Sequence, residues 1–501
     1  MVPLLAGAYW TYPTWDDGLF WFQWNELGPD IWNTVSQERP LLGFILNRLG
    51  HLGLLPQVPI ILFVFTWLGT GLVTRGFWNA LFPRAPNFAL VAAALAMSPA
   101  LIQTQLILVY PIISGHLGSV ICFAVCLAVA RVRRQQLPWV ALAIGAPLVF
   151  ASNVLSEYAL LATVVGSLAL WLGVEIADPV TRTVRRNALG ILCVAAILGY
   201  VVYHATASAA ARPGIRPEIQ LAEQGGRRLL EMPIRLPFAL WTGVLGEFFR
   251  GVGEITFFSG SIVGLGYGGL WAAGAGALLR RQRRRGADYQ ESVVAGRRTP
   301  VALLAALAVG LAAIILMTNS PQQNIASRVW QPLFPLAICL TVWVLVGIIR
   351  PRFQRALMIF CVFLSAYLCA NSAAAARKIR IKTDALAARI HERLSPTGLT
   401  VALFASYPTN TYVGSPIARP TELSARLSRN WPEADRKRFW AGATDWAPLK
   451  EHVPEFAGTC GRVPTVDSEV AGWVRRGPVE RLLWVSFTPD GEYQIAEGQP
   501  R

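Results

Sequence analysis

Ser114-Gly115-His116-Leu117-Gly118-Ser119-Val120-Ile121-Cys122-Phe123-Ala124-Val125-Cys126-Leu127-Ala128-Val129-Ala130, closed by Arg131, Arg133 and Arg134, is the stretch whose reading decides the fold. An apolar run of nearly bilayer length that stops at arginines is the pattern of a membrane crossing with its basic end in the cytoplasm. The pattern recurs in both directions. Upstream, Gln57 to Thr74 is a clean span followed by Arg75 and Arg84, and Asn87 to Met97 begins the next. Pro99 to Pro111 is apolar but interrupted by Gln103, Gln105 and prolines, which suits a cavity lining better than a lipid face. Downstream, Trp139 to Ala151 and Ala159 to Gly173 form a close hairpin, with Arg182, Arg185 and Arg186 beyond it. Ala188 to Thr206 spans again, and the Gly-rich run Ile255 to Leu279 ends on Arg280, Arg281, Arg283, Arg284 and Arg285. Val301 to Met317, Pro332 to Ile349 and Ala356 to Ala370 complete the set, with Arg350, Arg352 and Arg355 between the last two. Counting a short first segment at Met1 to Tyr12, about eleven crossings are expected.

Composition agrees. Of 501 residues 54% are hydrophobic and 15% charged, and the mean hydropathy is +0.43, too apolar for a soluble globular chain of this size. The net charge of +16 does not imply nucleic acid, because the basic residues stand in short clusters between apolar runs rather than along one face. Six of the seven cysteines lie in apolar spans and Cys460 is alone in a polar region, so neither a disulfide framework nor a metal-ligand spacing follows. Cys122 and Cys126 are at helical spacing between Phe and Val, which reads as packing.

The arginine clusters follow residues 74, 130, 174, 279 and 349, whereas the short loops near 99, 153 and 318 carry almost none. This alternation puts the arginine loops in the cytoplasm of an inner-membrane protein and the others outside. The expected fold is therefore an α-helical polytopic membrane domain over 1–372, with a first extracytoplasmic loop at 15–56, and a small extracytoplasmic α/β domain over 373–501. Met1 to Tyr12 has about half the ~20 residues of a spanning helix and no cleavage site, which suits a short or truncated first helix. Leu42, Ile45, Leu46, Leu49 and Leu52 share one helical face opposite Asn47, Arg48 and His51, the pattern of an interfacial helix. In the last domain Ile379, Thr383, Leu386, Ile390 and Leu394 recur at helical spacing, and Leu399 to Ala405 reads as a buried strand. Leu482 to Phe487 and Tyr493 to Ala496 flank Pro489-Asp490-Gly491 as a hairpin.

The outer face gathers the polar chemistry. Trp15-Asp16-Asp17-Gly18-Leu19-Phe20-Trp21 sets two carboxylates among aromatic rings, an arrangement able to act as a general base or to hold a divalent cation. Glu38 and Arg39, Asn153 and Glu157, and Gln322, Gln323, Asn324 and Arg328 are the other groupings on that side. The planar fork of Arg328 matches a phosphate, and an acid such as Glu157 between two spans is expensive unless used. His116 reads as a cavity-lining residue and joins the candidate substrate site.

An early acidic pair (Asp16-Asp17), an interfacial helix opened by Arg39-Pro40-Leu41, about eleven spans and an outer C-terminal domain together resemble the GT-C superfamily of integral membrane glycosyltransferases. Ser327-Arg328-Val329-Trp330-Gln331-Pro332-Leu333-Phe334-Pro335 is similar to the Arg-Tyr-Leu-Leu-Pro-type helix start found late in several members. Leu155-Ser156-Glu157-Tyr158 is similar to a Tyr-Glu-type turn of bacterial relatives with the two residues reversed. The resemblance implies transfer of a sugar from a polyprenyl-phosphate carrier to a lipid, glycan or protein acceptor outside the cytoplasm. It makes Asp16 the base and Asp17 its partner in catalysis or in holding a metal. Arg39, Glu157, Arg328, Gln323 and His116 would then contact substrate. Two other classes fit the layout: a transporter or flippase of a lipid-linked or amphipathic solute, and a non-catalytic membrane partner.

Overall fold

The computed structural model describes residues 40–52, 58–97, 110–131, 137–156, 158–174, 178–210, 276, 298–317, 331–348, 351–404, 427–428, 430–443, 479–487 and 493–498. Among these the protein is mostly helical. The elements are α1 (Pro40–His51), α2 (Val58–Leu81), a 3-10 turn at Pro86–Phe88, α3 (Ala89–Ala96), α4 (Tyr110–Arg131), α5 (Leu137–Leu155), α6 (Tyr158–Gly173) and α7 (Pro179–Ala210). They continue with α8 (Arg298–Met317), a 3-10 turn at Gln331–Leu333, α9 (Phe334–Ile348) and α10 (Pro351–His391). Last come β1 (Leu399–Phe404), α11 (Glu433–Lys437), β2 (Phe439–Ala443), β3 (Val479–Phe487) and β4 (Tyr493–Gly498). The chain divides into two compact units, and the division falls inside α10 between Ser372 and Ala373.

In the first unit α2, α4, α5, α6, α7, α8 and α9 pack as one bundle. Three contacts fix one end of it. The Arg131 guanidinium closing α4 donates to the Gly76 carbonyl of α2 at 2.7 Å. The Thr299 hydroxyl, at the start of α8, lies 3.5 Å from the carbonyls of both Leu81 and Gly173, the last residues of α2 and α6. At the far end Leu333, just before α9, meets Gly310 of α8. Thus α2, α4, α6 and α9 run toward one end, which bears Arg75, Arg84, Arg131, Arg182, Arg185 and Arg186, while α5, α7 and α8 run away from it. For the clusters at Arg75 and Arg84, at Arg131 and at Arg182 to Arg186, the alternation read from sequence agrees with the directions of the described helices. Phe77, Trp78, Phe82 and Phe123 fill the core near the arginine end, with the Phe77 and Phe123 rings edge to face at 5.3 Å.

Three elements depart from the sequence reading. Helix α7 begins at Pro179, well before Ala188, because Asp178 caps it: its carboxylate accepts from the Thr181 backbone N–H at 2.8 Å, from that of Val180 at 3.3 Å and from the Thr181 hydroxyl. Arg182, Arg185 and Arg186 are accordingly helical rather than in a loop. Helix α3 has 8 residues, too short to cross a bilayer at 1.5 Å per residue. Helix α10 does not stop at Ala370 but continues to His391. By length and apolarity one described helix, Pro179–Thr206 within α7, is able to span a membrane, and six shorter apolar stretches of 10–17 residues accompany it. Among the described residues the protein is thus mostly helical with one such helix, and the expected spans at Met1 to Tyr12 and Ile255 to Leu279 lie outside them, apart from Gly276.

The second unit holds a four-stranded sheet of order β2-β1-β3-β4, with β1 parallel to both β2 and β3 and β4 antiparallel to β3. Leu386, Ala387 and Ile390 on the last turns of α10 pack with Ala402, Phe439, Ala441, Leu483 and Val485 in its core. Strand β1 starts at Leu399 and the β3–β4 hairpin covers the segments flanking Pro489-Asp490-Gly491, as alternation suggests.

Candidate functional site

Among the described residues, polar side chains buried in the bundle collect where α4 meets the α5–α6 turn. His116 and Ser119 come from α4, Ser152 and Asn153 from the last turn of α5, Ser156 from the turn itself and Tyr158 from the start of α6, all of them buried. The His116 and Tyr158 rings meet edge to face with centroids 5.4 Å apart. Of two glycines beside the cluster, one is required by the close approach. A Cβ at Gly118 would rest in ordinary contact with Ser152 and Ala159, 3.5 and 3.6 Å away. At Gly199 of α7 a Cβ would stand 2.5 Å from the Phe150 carbonyl oxygen and 2.9 Å from the Asn153 Cβ, so only glycine fits.

Ser152 and Asn153, which the sequence placed in a loop at the hairpin tip, belong to the helix. The Asn153 amide donates to the Val149 carbonyl one turn back at 2.7 Å, an internal bond that lets a polar residue finish an apolar helix. The turn is then only Ser156 and Glu157. The Ser156 backbone N–H donates to the Ser152 carbonyl at 3.1 Å, and the Tyr158 N–H approaches the Ser156 hydroxyl at 3.4 Å. Asn153 is fully buried, and its Oδ1 accepts no hydrogen bond. An amide oxygen left without a partner in an apolar bundle costs about 1–3 kcal/mol.

Below the cluster a ladder of small polar groups follows α4 and α6. The Cys126 Sγ lies 3.4 Å from the Ser167 Oγ, and the Thr163 hydroxyl donates to Ala159 O at 2.8 Å. The cysteines pack as their Phe and Val neighbours suggest. Among the described residues no group of three or more His, Cys, Asp or Glu side chains stands ready to hold a metal.

Of the residues singled out from sequence, His116 and Asn153 lie in the cluster, beside Ser156 and Tyr158. Asp16, Asp17, Arg39, Glu157, Gln323 and Arg328 lie outside the described residues. Ser119 and Gly199 were not singled out. Ser119 follows His116 at i,i+3 and precedes Cys122 at the same interval, a polar stripe at helical period inside an apolar run. Gly199 carried no such signal.

The cluster is neutral in its described members and rich in groups that both donate and accept. Such a lining suits hydroxyl groups of a ligand, and the imidazole and phenol can relay a proton. No family model, curated protein or solved structure matches the chain.

Proposed function

We propose that the protein is a polytopic membrane glycosyltransferase that moves a sugar from a polyprenyl-phosphate carrier to a lipid, glycan or protein acceptor on the extracytoplasmic face. The observation that carries the reading is an inversion of the usual distribution of polarity. His116, Asn153 and Ser156 are fully buried, whereas Phe65, Leu72, Ile144, Val194 and Phe363 are each more than half exposed. In water such a surface is unfavourable by about 25 cal/mol per Å² of apolar area; in lipid it carries no penalty.

The polar cluster and the arginines stand at opposite ends of the bundle. With the arginine end in the cytoplasm, the cluster and Glu157 belong to the outer side, together with the loops that carry Asp16, Asp17, Arg39, Gln323 and Arg328. On this reading Asp16, with Asp17 beside it or through a divalent cation, removes the proton of the acceptor hydroxyl as it attacks the anomeric carbon. Arg328 and Arg39 offset the charge of the departing phosphate. His116, Gln323 and Glu157 hold hydroxyl groups.

The test uses proteoliposomes given a polyprenyl-phosphate-linked radiolabelled sugar and a membrane extract as acceptor. Asp16→Asn is expected to lower transfer about 10²- to 10⁴-fold with insertion unchanged. Full transfer by that variant removes the base assignment, and solute uptake without transfer replaces the enzyme by a transporter.

A further inference from the structure

Arg75, Arg84, Arg131 and Arg186 stand exposed at one end of the bundle, and we infer that this end binds anionic phospholipid headgroups. The inference rests on the membrane reading above but not on the glycosyl transfer. In sequence these residues are scattered over more than a hundred positions, after α2, at the end of α4 and at the start of α7. Three contacts draw them together: Arg131 to the Gly76 carbonyl beside Arg75, Thr299 to Leu81 just ahead of Arg84, and Thr299 to Gly173 just ahead of the capped start of α7. Arg75, Arg84, Arg131 and Arg186 are exposed there. Asp178 is the one acidic side chain among the described residues of this end, and it is engaged in capping.

What sits directly beneath the arginines decides the kind of partner. Leu72, Trp171, Leu172 and Val180 are exposed within one or two turns of them, at 65%, 46%, 44% and 54%. The Arg186 guanidinium lies 6.0 Å over the Trp171 ring. A band of cations backed by exposed aliphatic groups and an interfacial tryptophan matches a phosphate headgroup with its acyl chains. An acidic protein or a nucleic acid has nothing to place on the apolar part. Arginine also forks two donors onto one phosphate, where lysine offers a point charge.

The experiment compares thermal unfolding of the full chain in vesicles of phosphatidylcholine alone and of phosphatidylcholine with phosphatidylglycerol. Anionic lipid is expected to raise the midpoint by about 3 °C or more. Replacement of Arg75, Arg84 and Arg186 together by Gln is expected to abolish most of that rise, and replacement by Lys to retain part of it. Arg131 is kept, because it holds α4 to α2. Equal midpoints of the unaltered protein in the two vesicles overturn the inference. So does a rise reproduced by inorganic phosphate with phosphatidylcholine alone, or by an acidic peptide, since the surface would then serve a different ligand. Should the Gln variant be unstable in both vesicles, loss of the unaltered protein's rise in about 0.5 M salt supports headgroup binding and its persistence overturns it. Release of the protein from membranes by alkaline carbonate separates failure of the membrane reading from failure of the arginine surface.

Discussion

Single residues set how closely the helices of the bundle approach. Gly199 lies against the Phe150 carbonyl and Asn153, and nothing in the sequence around it announces that contact: Gly190 on the same helix meets no neighbour at all. Replacing Gly199 by Leu is expected to push α7 off α5 and to destabilise the protein by about 1–3 kcal/mol. The same change at Gly190 should be close to neutral, and thermal unfolding in one detergent compares the two. His116 was legible, because an imidazole in an apolar run stands out. The burial of Asn153 was not, because polar residues between two apolar runs look like a loop whether or not the helix continues through them.

At the scale of elements, local chemistry decides where helices start, and it can be stronger than hydropathy. Asp178-Pro179 is a capping pair, and it starts α7 among residues too polar for an apolar window to include. The hydrogen bonds from Thr181 also hold the Asp178 carboxyl below its ordinary range. Asp178→Ala should therefore raise amide exchange at Val180, Thr181 and Arg182 and leave the helix beyond Arg186 protected, which hydrogen-exchange mass spectrometry reads. In the second unit the loop leading into β1 is organised in a similar way. Glu480 accepts from the Ser395 hydroxyl and, at 2.8 Å, from the Thr397 hydroxyl, while the Arg438 guanidinium donates to the Ser395 and Pro396 carbonyls. Across this corner Asp435 pairs with His391 at 2.9 Å and with Arg438 at 2.5 Å. The end of α10 was legible from its three-to-four-residue period, β1 from its apolar run and β3 and β4 from the turn residues between them, whereas β2 was not singled out. This network was not legible, because its longer links join residues 43 to 85 positions apart in sequence.

At the scale of the molecule, charge and burial divide the work between the units. The bundle is held by apolar packing, and its described core should respond little to acid. The second unit depends in part on carboxylates: the Ser395 hydroxyl bond lowers the pKa of Glu480 from its ordinary 4.5, and the His391 contact lowers that of Asp435 from 3.8. A depressed carboxylate contributes stability that is complete above its unfolded pKa and is lost as pH falls through the folded one. The second unit is thus expected to lose stability progressively below about pH 4.5, and Glu480→Gln should flatten that loss; tryptophan fluorescence of Trp431 and Trp440 during acid titration checks it. The bundle's direction of travel was fully legible, because arginines mark helix ends. Its number of crossings was not, since the run beginning at Asn87 gives a helix of only 8 residues, Ala89–Ala96, shorter than a span.

The strand order β2-β1-β3-β4 has a bearing on how the protein is made. Strand β1 sits at the centre of the sheet, yet one of its two neighbours, β3, is translated some 75 residues after β1 ends. Until the ribosome has delivered Val479 to Phe487, Leu399 to Phe404 emerges with an apolar edge that has nothing to pair with, and long-range parallel pairing of this kind closes slowly. A frameshift or early stop before Val479 would therefore remove β3 and β4 together, half of the sheet, and leave β1 as a bare edge beside β2, a nascent chain exposed to chaperones and proteases.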